Sequence, residues 1–310
     1  MDEFEDTGTV WRVKKRHRKR RGLKVLVFLL ICAVVIPLGV RYSQNRQSLP
    51  ISVTAANAYV VNMSKKSVFY QKGGTDQIAP ASTIKMVTAL TILDCCDLDE
   101  EFTVGSEIEL IAADSSRAWL NEGDRLTVRQ LLVALLLPSG NDAAYTIAVG
   151  GGRLLEGDSS LTDQQALSAF MKAMNKKAKA VGATSSHFLN PDGYDADGQY
   201  TTARDLSKIA EACLRNDTLT DIMGSYIISD TWASGREVTY QNTNDLLNSG
   251  SSYYLDGAIG LKTGSSGNAG ACLVSAAVIG GQTYISVVMG CTEGARYTDS
   301  LKIYSAIARR

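Results

Sequence analysis

Apolar and polar positions divide the chain into stretches of different character. From Val25 to Val40 sixteen residues carry no charge, and Lys24 and Arg41 fence the run. Further along, the pattern becomes periodic. Ala58 to Asn62 and Ser67 to Gln71 are β-prone and joined by a polar turn, which predicts a hairpin. Ile84, Val87, Leu90 and Thr91 recur at helical spacing and predict a helix from Ser82 to Leu93, after Pro80. A second helical zone spans Thr127 to Val149, broken at Pro138-Ser139-Gly140, and two more helices are predicted over Ala166 to Val181 and Ala203 to Leu214. The last third reads as strands at Tyr226 to Trp232, Arg236 to Gln241, Ala258 to Lys262, Ala271 to Ile279 and Thr283 to Met289, before a closing helix from Ser300 to Ala308. Strands at both ends with helices between them predict an α/β (α+β) fold: a central antiparallel sheet built from distant segments, flanked by helices, with an inserted helical subdomain. Residues 57–310 then form one cooperative unit, preceded by a polar linker over 41–56 that holds Pro50.

Composition changes the picture at the N-terminus. The 310 residues are 45% apolar and 21% charged, as in an ordinary folded protein, and 32 basic side chains balance 32 acidic ones. Residues 1–24, however, hold nine basic and four acidic side chains, a net of +5, which leaves −5 on the remainder. A nucleic-acid binder spreads its basic residues over the fold, so that class is disfavoured. The cluster Lys14-Lys15-Arg16-His17-Arg18-Lys19-Arg20-Arg21 instead stands before the apolar run and reads as a topogenic signal. A spanning helix needs about 20 residues, so 25–40 is slightly short, and snorkelling of Lys24 and Arg41 extends its reach. A cleaved signal peptide needs a small-x-small site soon after the run, where Arg41-Tyr42-Ser43-Gln44 stands. The expectation is a cytoplasmic basic tail over 1–24, an uncleaved single-pass membrane anchor over 25–40, and a catalytic domain outside the cell membrane.

Beyond Cys32, the cysteines are Cys95, Cys96, Cys213, Cys272 and Cys291. An odd count with two adjacent members is a poor disulfide framework, so buried free thiols are expected, with a Cys272–Cys291 bridge as the alternative. His17 and His187 are the only histidines, too few for a His-rich metal site. There is no Gly-x-Ser-x-Gly elbow, no His-Glu-x-x-His helix and no Gly-x-x-x-x-Gly-Lys loop.

A serine nucleophile would then need lysine as its base, and Ser82-Thr83-Ile84-Lys85 offers one. At i and i+3 on a helix the two side chains share a face, and Ser82 at the helix start lies at the positive end of the dipole. Lys85 serves as a base only if burial or a second cation lowers its pKa. By itself Ser-x-x-Lys is a common pattern on solvated helices. Two further pieces lift it: Ser139-Gly140-Asn141, a polar turn inside the apolar zone, and Lys262-Thr263-Gly264, where a strand is expected to end and Gly264 would let a ligand backbone approach.

These three motifs, in this order, resemble the penicillin-recognising serine acyltransferases, and within them the low-molecular-mass penicillin-binding proteins, the D-alanyl-D-alanine carboxypeptidases. The resemblance runs from Ala58 to the C-terminus. Its best passages are Pro80-Ala81-Ser82-Thr83-Ile84-Lys85-Met86, Pro138 to Ala144, Asn190-Pro191-Asp192-Gly193-Tyr194-Asp195, Thr201 to Leu206, and Lys262-Thr263-Gly264 followed by Ala269-Gly270. It implies a β-lactamase/transpeptidase-like fold, a peptidoglycan stem peptide as substrate, β-lactams as inhibitors, and neither cofactor nor metal. It also implies roles. Ser82 attacks the terminal D-Ala–D-Ala carbonyl, Lys85 takes its proton, and Ser139 relays a proton to the leaving D-alanine. Asn141 positions Lys85 and the substrate amide. Lys262 depresses the pKa of Lys85 and attracts the substrate carboxylate, Thr263 and Gly264 flank the substrate, and the Ser82 and Ser265 N–H groups form the oxyanion hole. Arg296 is a further carboxylate partner, with a solvated loop arginine as the bland alternative.

The chain departs from the family's pattern at Asp192, where many relatives carry histidine, and at Ser265, where some do. A class A β-lactamase would need a glutamate where Ser186 stands, and a penicillin sensor would need far more than 24 cytoplasmic residues. A DD-endopeptidase would use the same residues, and the sequence does not separate it.

Overall fold

A computed structural model describes Leu29 and residues 49–310. The basic tail, the apolar run 25–40 apart from Leu29, and residues 41–48 of the expected linker lie outside this described part. Among the described residues no helix is long and apolar enough to cross a membrane.

The described residues 49–310 hold nine strands, in chain order β1 (Asn57–Asn62), β2 (Ser67–Lys72), β3 (Glu101–Thr103), β4 (Arg125–Thr127), β5 (Ile227–Thr231), β6 (Glu237–Gln241), β7 (Ala258–Ser266), β8 (Gly270–Ile279) and β9 (Gln282–Cys291). Within the same residues run seven α-helices: α1 (Lys85–Ile92), α2 (Val128–Leu136), α3 (Asn141–Glu156), α4 (Asp163–Ala180), α5 (Ala203–Cys213), α6 (Asp217–Gly224) and α7 (Ala295–Ala308). The central sheet is antiparallel in the order β2-β1-β9-β8-β7. Its middle joins the two ends of the domain, with Asn57 opposite Met289 and Asn62 opposite Tyr284.

Side chains alternate across β8 and β9 and feed two cores. Cys272, Val274, Ala276, Ile285, Val287 and Met289 face the larger core, shared with α1 to α6. Leu273, Ala277, Tyr284 and Val288 face the smaller one, closed by Tyr297, Ile303, Tyr304 and Ile307 of α7. Helices cover both faces, so these strands are apolar at nearly every position. Each fully buried aliphatic or aromatic side chain contributes about 1.5–3 kcal/mol, which makes the two layers the main source of cohesion. Between them lies Ser275, whose Oγ is 2.9 Å from the Tyr304 hydroxyl. Cys272 faces one core and Cys291 the other, so no bridge joins them, and both are free thiols.

Every residue of α1 is buried. Around it, α2 starts on a capping box, with Thr127 and Gln130 satisfying each other's backbone N–H groups, and α4 repeats the device with Thr162 and Gln165.

Several expectations need correction. β7 does not end at Lys262: Gly264 pairs with Cys272 and Ser265 with Ala271, so cross-strand bonding carries a Gly/Ser stretch of low β propensity onward. β5 and β6 form a separate ribbon, because their mostly exposed side chains do not fit a sheet covered on both faces. α7 begins at Ala295 rather than Ser300, and its polar first turns are drawn inward by the Asp299 carboxylate. That carboxylate accepts from Thr54 N (3.1 Å), Thr54 Oγ1 (2.8 Å) and Ala55 N (2.7 Å). From Leu49 on, the linker expected over 41–56 is packed structure, with Leu49, Val53 and Ala55 buried against α7. The short β3–β4 pair and α6 had no pattern long enough to reveal them.

Candidate active site

Ser82 lies in a 3₁₀ turn, Ala81–Ile84, that runs directly into α1, whose first residue is Lys85. Burial of the whole helix leaves the Lys85 amine no solvent, and its three contacts are all within the protein. Its Nζ donates to Ser82 Oγ at 2.8 Å, Asn141 Oδ1 at 2.7 Å and the Asp192 carbonyl at 2.9 Å. Desolvation lowers its pKa to about 8, and the negative charges of Asp192 and Asp142 work in the opposite direction. Lys262, also fully buried, has its pKa driven well below the ordinary lysine value by burial first and then by the charges of Lys85 and Arg296. Of the two influences expected to depress Lys85, burial and a second cation, burial is the first cause.

The turn Pro138-Ser139-Gly140 separates α2 from α3 and puts Asn141 at the first position of α3. Ser116 fastens this turn: its Oγ donates to Ser139 O (2.6 Å), and its carbonyl accepts from Asn141 N (2.8 Å). Asp142 extends the fastening, accepting from Ala118 N at 2.9 Å and Leu120 N at 3.1 Å. Ser139 is 6% exposed, and its Oγ has no hydrogen-bond partner. Positive φ at non-glycine residues occurs at or next to a residue of each motif, with Ala81 at 46°, Ser139 at 66° and Leu261 at 86°. Each costs of order 1–3 kcal/mol, and such strain concentrates where packing holds functional geometry.

The third motif lies on β7, where Lys262 Nζ donates to Thr263 O at 3.1 Å and Thr263 Oγ1 is 2.5 Å from Thr243 Oγ1. At Gly264 the backbone neighbour is not a ligand but the nucleophile's own turn. A Cβ there would stand 3.1 Å from Ser82 N and Thr83 N. Arg296 is not a loop residue facing solvent. It is 8% exposed in the first turn of α7, donating to Gly264 O (3.1 Å) and Ser265 Oγ (3.0 Å) and ion-paired with Glu293.

Ser82, Asn141 and Ser265 meet in a cleft of about 340 Å³, together with Asp114, Ser115, Ser116, Gly193, Tyr194, Asp195, Ser266 and Gly267. Lys85, Ser139, Lys262, Thr263, Gly264 and Arg296 are not among the residues that line it. Sequence reasoning assigned no role to the side chains of the 192–195 loop. Asp192 Oδ2 accepts from Asn141 Nδ2 at 2.5 Å, Tyr194 OH donates to Asp114 at 3.0 Å, and Asp195 accepts from Ser266 Oγ (2.7 Å) and Asn268 N (2.9 Å). An Asp-Gly pair favours a turn in any sequence, but nothing local tells that this carboxylate is buried. Gly193, at φ 88°, lies against Ala81, whose carbonyl would be 2.0 Å from a Cβ at that position.

A serine beside a buried, pKa-lowered lysine, on a helix packed against an antiparallel sheet, defines a serine-type hydrolase that uses an amine where other enzymes use imidazole. Comparison with known proteins narrows this. The D-alanyl-D-alanine carboxypeptidase family model, peptidase S11, matches residues 43–293. A D-alanyl-D-alanine carboxypeptidase from Streptomyces sp. (strain K15) is 34% identical over 262 residues, covering 81% of this chain and 86% of its own. The crystal structure of the Streptomyces K15 DD-transpeptidase superposes with a TM-score of 0.74 at 34% identity, over 83% of this chain and 97% of that one. Penicillin-binding protein D2 from Listeria monocytogenes, in an ampicillin-bound form, shares the fold at a TM-score of 0.66 and 24% identity, over 83% and 98% of the two chains. The chain belongs to the D-alanyl-D-alanine carboxypeptidase family of serine-type hydrolases, and the expected transpeptidase-like fold is the one it has.

Proposed function

We propose that this protein is a membrane-anchored D-alanyl-D-alanine carboxypeptidase that removes the terminal D-alanine from peptidoglycan stem pentapeptides through an acyl-enzyme on Ser82. The observation that carries the reading is the 2.8 Å contact between Ser82 Oγ and the buried Lys85 amine, lowered to about 8. Neutral Lys85 takes the hydroxyl proton as Ser82 Oγ bonds to the D-Ala–D-Ala carbonyl carbon. The oxyanion rests on the Ser82 and Ser265 N–H groups. The C–N bond then breaks while the proton held by Lys85 goes to the departing amine by way of Ser139, whose hydroxyl has no other partner and ends the step protonated as it began. Water hydrolyses the ester and restores Ser82.

Asn141 orients Lys85 and the substrate amide, and Thr263 and Gly264 form the β7 rail beside it. Lys262 is the partner of the substrate carboxylate, whose negative charge favours its protonated form. Arg296 supports that end of the cleft through Ser265. β-Lactams present a strained amide to the same serine. The basic tail 1–24 and the anchor 25–40 place the domain outside the cell membrane with the N-terminus in the cytoplasm.

The test is mass spectrometry of a stem pentapeptide before and after incubation with the purified protein, beside labelling by fluorescent penicillin. Loss of one D-alanine, abolished together with labelling in Ser82→Ala, is expected. Labelling without release of D-alanine, or cleavage of cross-linked fragments in preference to the pentapeptide, overturns the carboxypeptidase reading.

A further inference from the structure

A base must direct its electron pair at the proton it takes, and the surroundings of Lys85 decide where that pair points. Its amine has three neighbours, and two of them, Asn141 Oδ1 and the Asp192 carbonyl, are oxygens that only accept. A neutral amine has two N–H bonds. When both go to these two oxygens, the electron pair is left facing Ser82 Oγ, 2.8 Å away. This holds only while Asn141 shows its oxygen. Rotated by half a turn, the amide would offer N–H groups to the amine and draw the electron pair away from the serine.

We infer that Asp192 is a positioning residue that locks the Asn141 side chain in the orientation that aims Lys85 at Ser82. The Asp192 carboxylate accepts from Asn141 Nδ2 through Oδ2 at 2.5 Å, and a rotated amide would set oxygen against oxygen there. The carboxylate is itself fixed. Its Oδ1 accepts from Tyr194 N (3.1 Å), and the turn holding it is bonded through Gly193 N to Asn190 Oδ1 (2.9 Å) and through Pro191 O to Thr88 Oγ1 (2.6 Å). Asp192 thus acts twice on one lysine, by its backbone oxygen directly and by its carboxylate through Asn141. The inference rests on the acyl-enzyme reading above.

The charges around this network set the sign of the test. Lys85 is faced by Asp192 and Asp142, both of which favour its proton, while the Lys262 amine is close enough to be disfavoured by the charge of Lys85. Asp192 is faced by Lys85, by the Tyr145 phenol and by the Tyr194 backbone N–H. Burial raises the Asp192 pKa and Lys85 opposes that rise. Removing the carboxylate charge therefore lowers the proton affinity of Lys85. It also leaves an amide at 192 that cannot accept from both Asn141 Nδ2 and Tyr194 N.

The experiment compares kcat/KM for D-alanine release against pH in the wild type and Asp192→Asn, with thermal melts of both. The acid limb of the variant moves to lower pH by at least about half a unit, and its plateau falls about tenfold or more with KM little changed. A limb at the wild-type position or displaced upward overturns the inference, and so does a shifted limb with an unchanged plateau, since a loop staple alone changes only the height of the curve and a bare charge only its midpoint. Should the variant fail to fold, NMR of wild-type protein labelled at asparagine side chains decides. Asn141 then has one amide proton shifted far downfield and slow to exchange, and its absence overturns the inference. That measurement needs no turnover, so a wild type that releases no D-alanine refutes the proposed function while leaving Asp192 still testable.

Discussion

Removing Lys262 separates two accounts of why Lys85 is reactive. In one, a second cation lowers the pKa of the base; in the other, burial does. The structure favours burial, since Lys85 is fully buried and desolvation is the influence that lowers its pKa. The magnitude follows from the value of about 8 for Lys85. At pH 7 a lysine with that pKa is neutral about one time in ten, against roughly one in 2,500 for a solvated lysine near 10.4, a gain of roughly 200-fold in reactive base. The assay is the acylation rate with fluorescent penicillin, followed by stopped flow across about pH 6 to 9.5, a range that brackets the Lys85 midpoint. The wild type rises tenfold per pH unit on the acid side and levels above about 8. Lys262→Met lowers the plateau, because the carboxylate partner is lost, and leaves the midpoint within about 0.3 unit of the wild type. A midpoint that climbs toward 9 or beyond when Lys262 is removed would show that its charge was the depressing influence and refute the burial argument.

Two other outcomes test separate parts of the architecture. In Gly264→Ala the new methyl meets Ala81 Cβ, Ser82 N and Thr83 N at 3.1 Å, so β7 or the nucleophile's turn must give by a few tenths of an ångström. Denaturant melts should show a loss of about 1–3 kcal/mol, and penicillin acylation should slow about tenfold through misplaced Ser82; unchanged kinetics would mean that the turn yields freely. For the N-terminal segment, full-length protein should stay in the membrane pellet after alkaline carbonate washing, whereas protein beginning at residue 42 should be released; release of both would exclude residues 25–40 as a span.

Element type was legible wherever periodicity ran long. The hairpin β1–β2, the helices α2 to α5 and the strands β8 and β9 follow from spacing alone, because each buries a face or both faces along several residues. The polar turn at Ser139 stood out for the same reason, as a break in an apolar helix. What escaped was set by partners far off in sequence. The extension of β7 past Lys262 depends on bonding to β8, and the early start of α7 depends on the Asp299 carboxylate receiving Thr54 and Ala55. The cause of the Lys85 pKa and the anchoring of Asn141 by Asp192 were hidden for a related reason: a carboxylate beside a glycine marks a turn in any sequence, and only the assembled fold says whether water reaches it.

The pairing of Asn57 with Met289 constrains how the molecule comes into being. A ribosome delivers β1 and the serine-bearing turn early, yet β1 has only β2 beside it until β9 emerges, and Arg296 comes later still. A polypeptide interrupted before β9 therefore leaves both apolar layers open and the hydrolytic apparatus unassembled. Premature termination thus removes the central strand of the sheet, and its wiring ties the ordered molecule to completed synthesis.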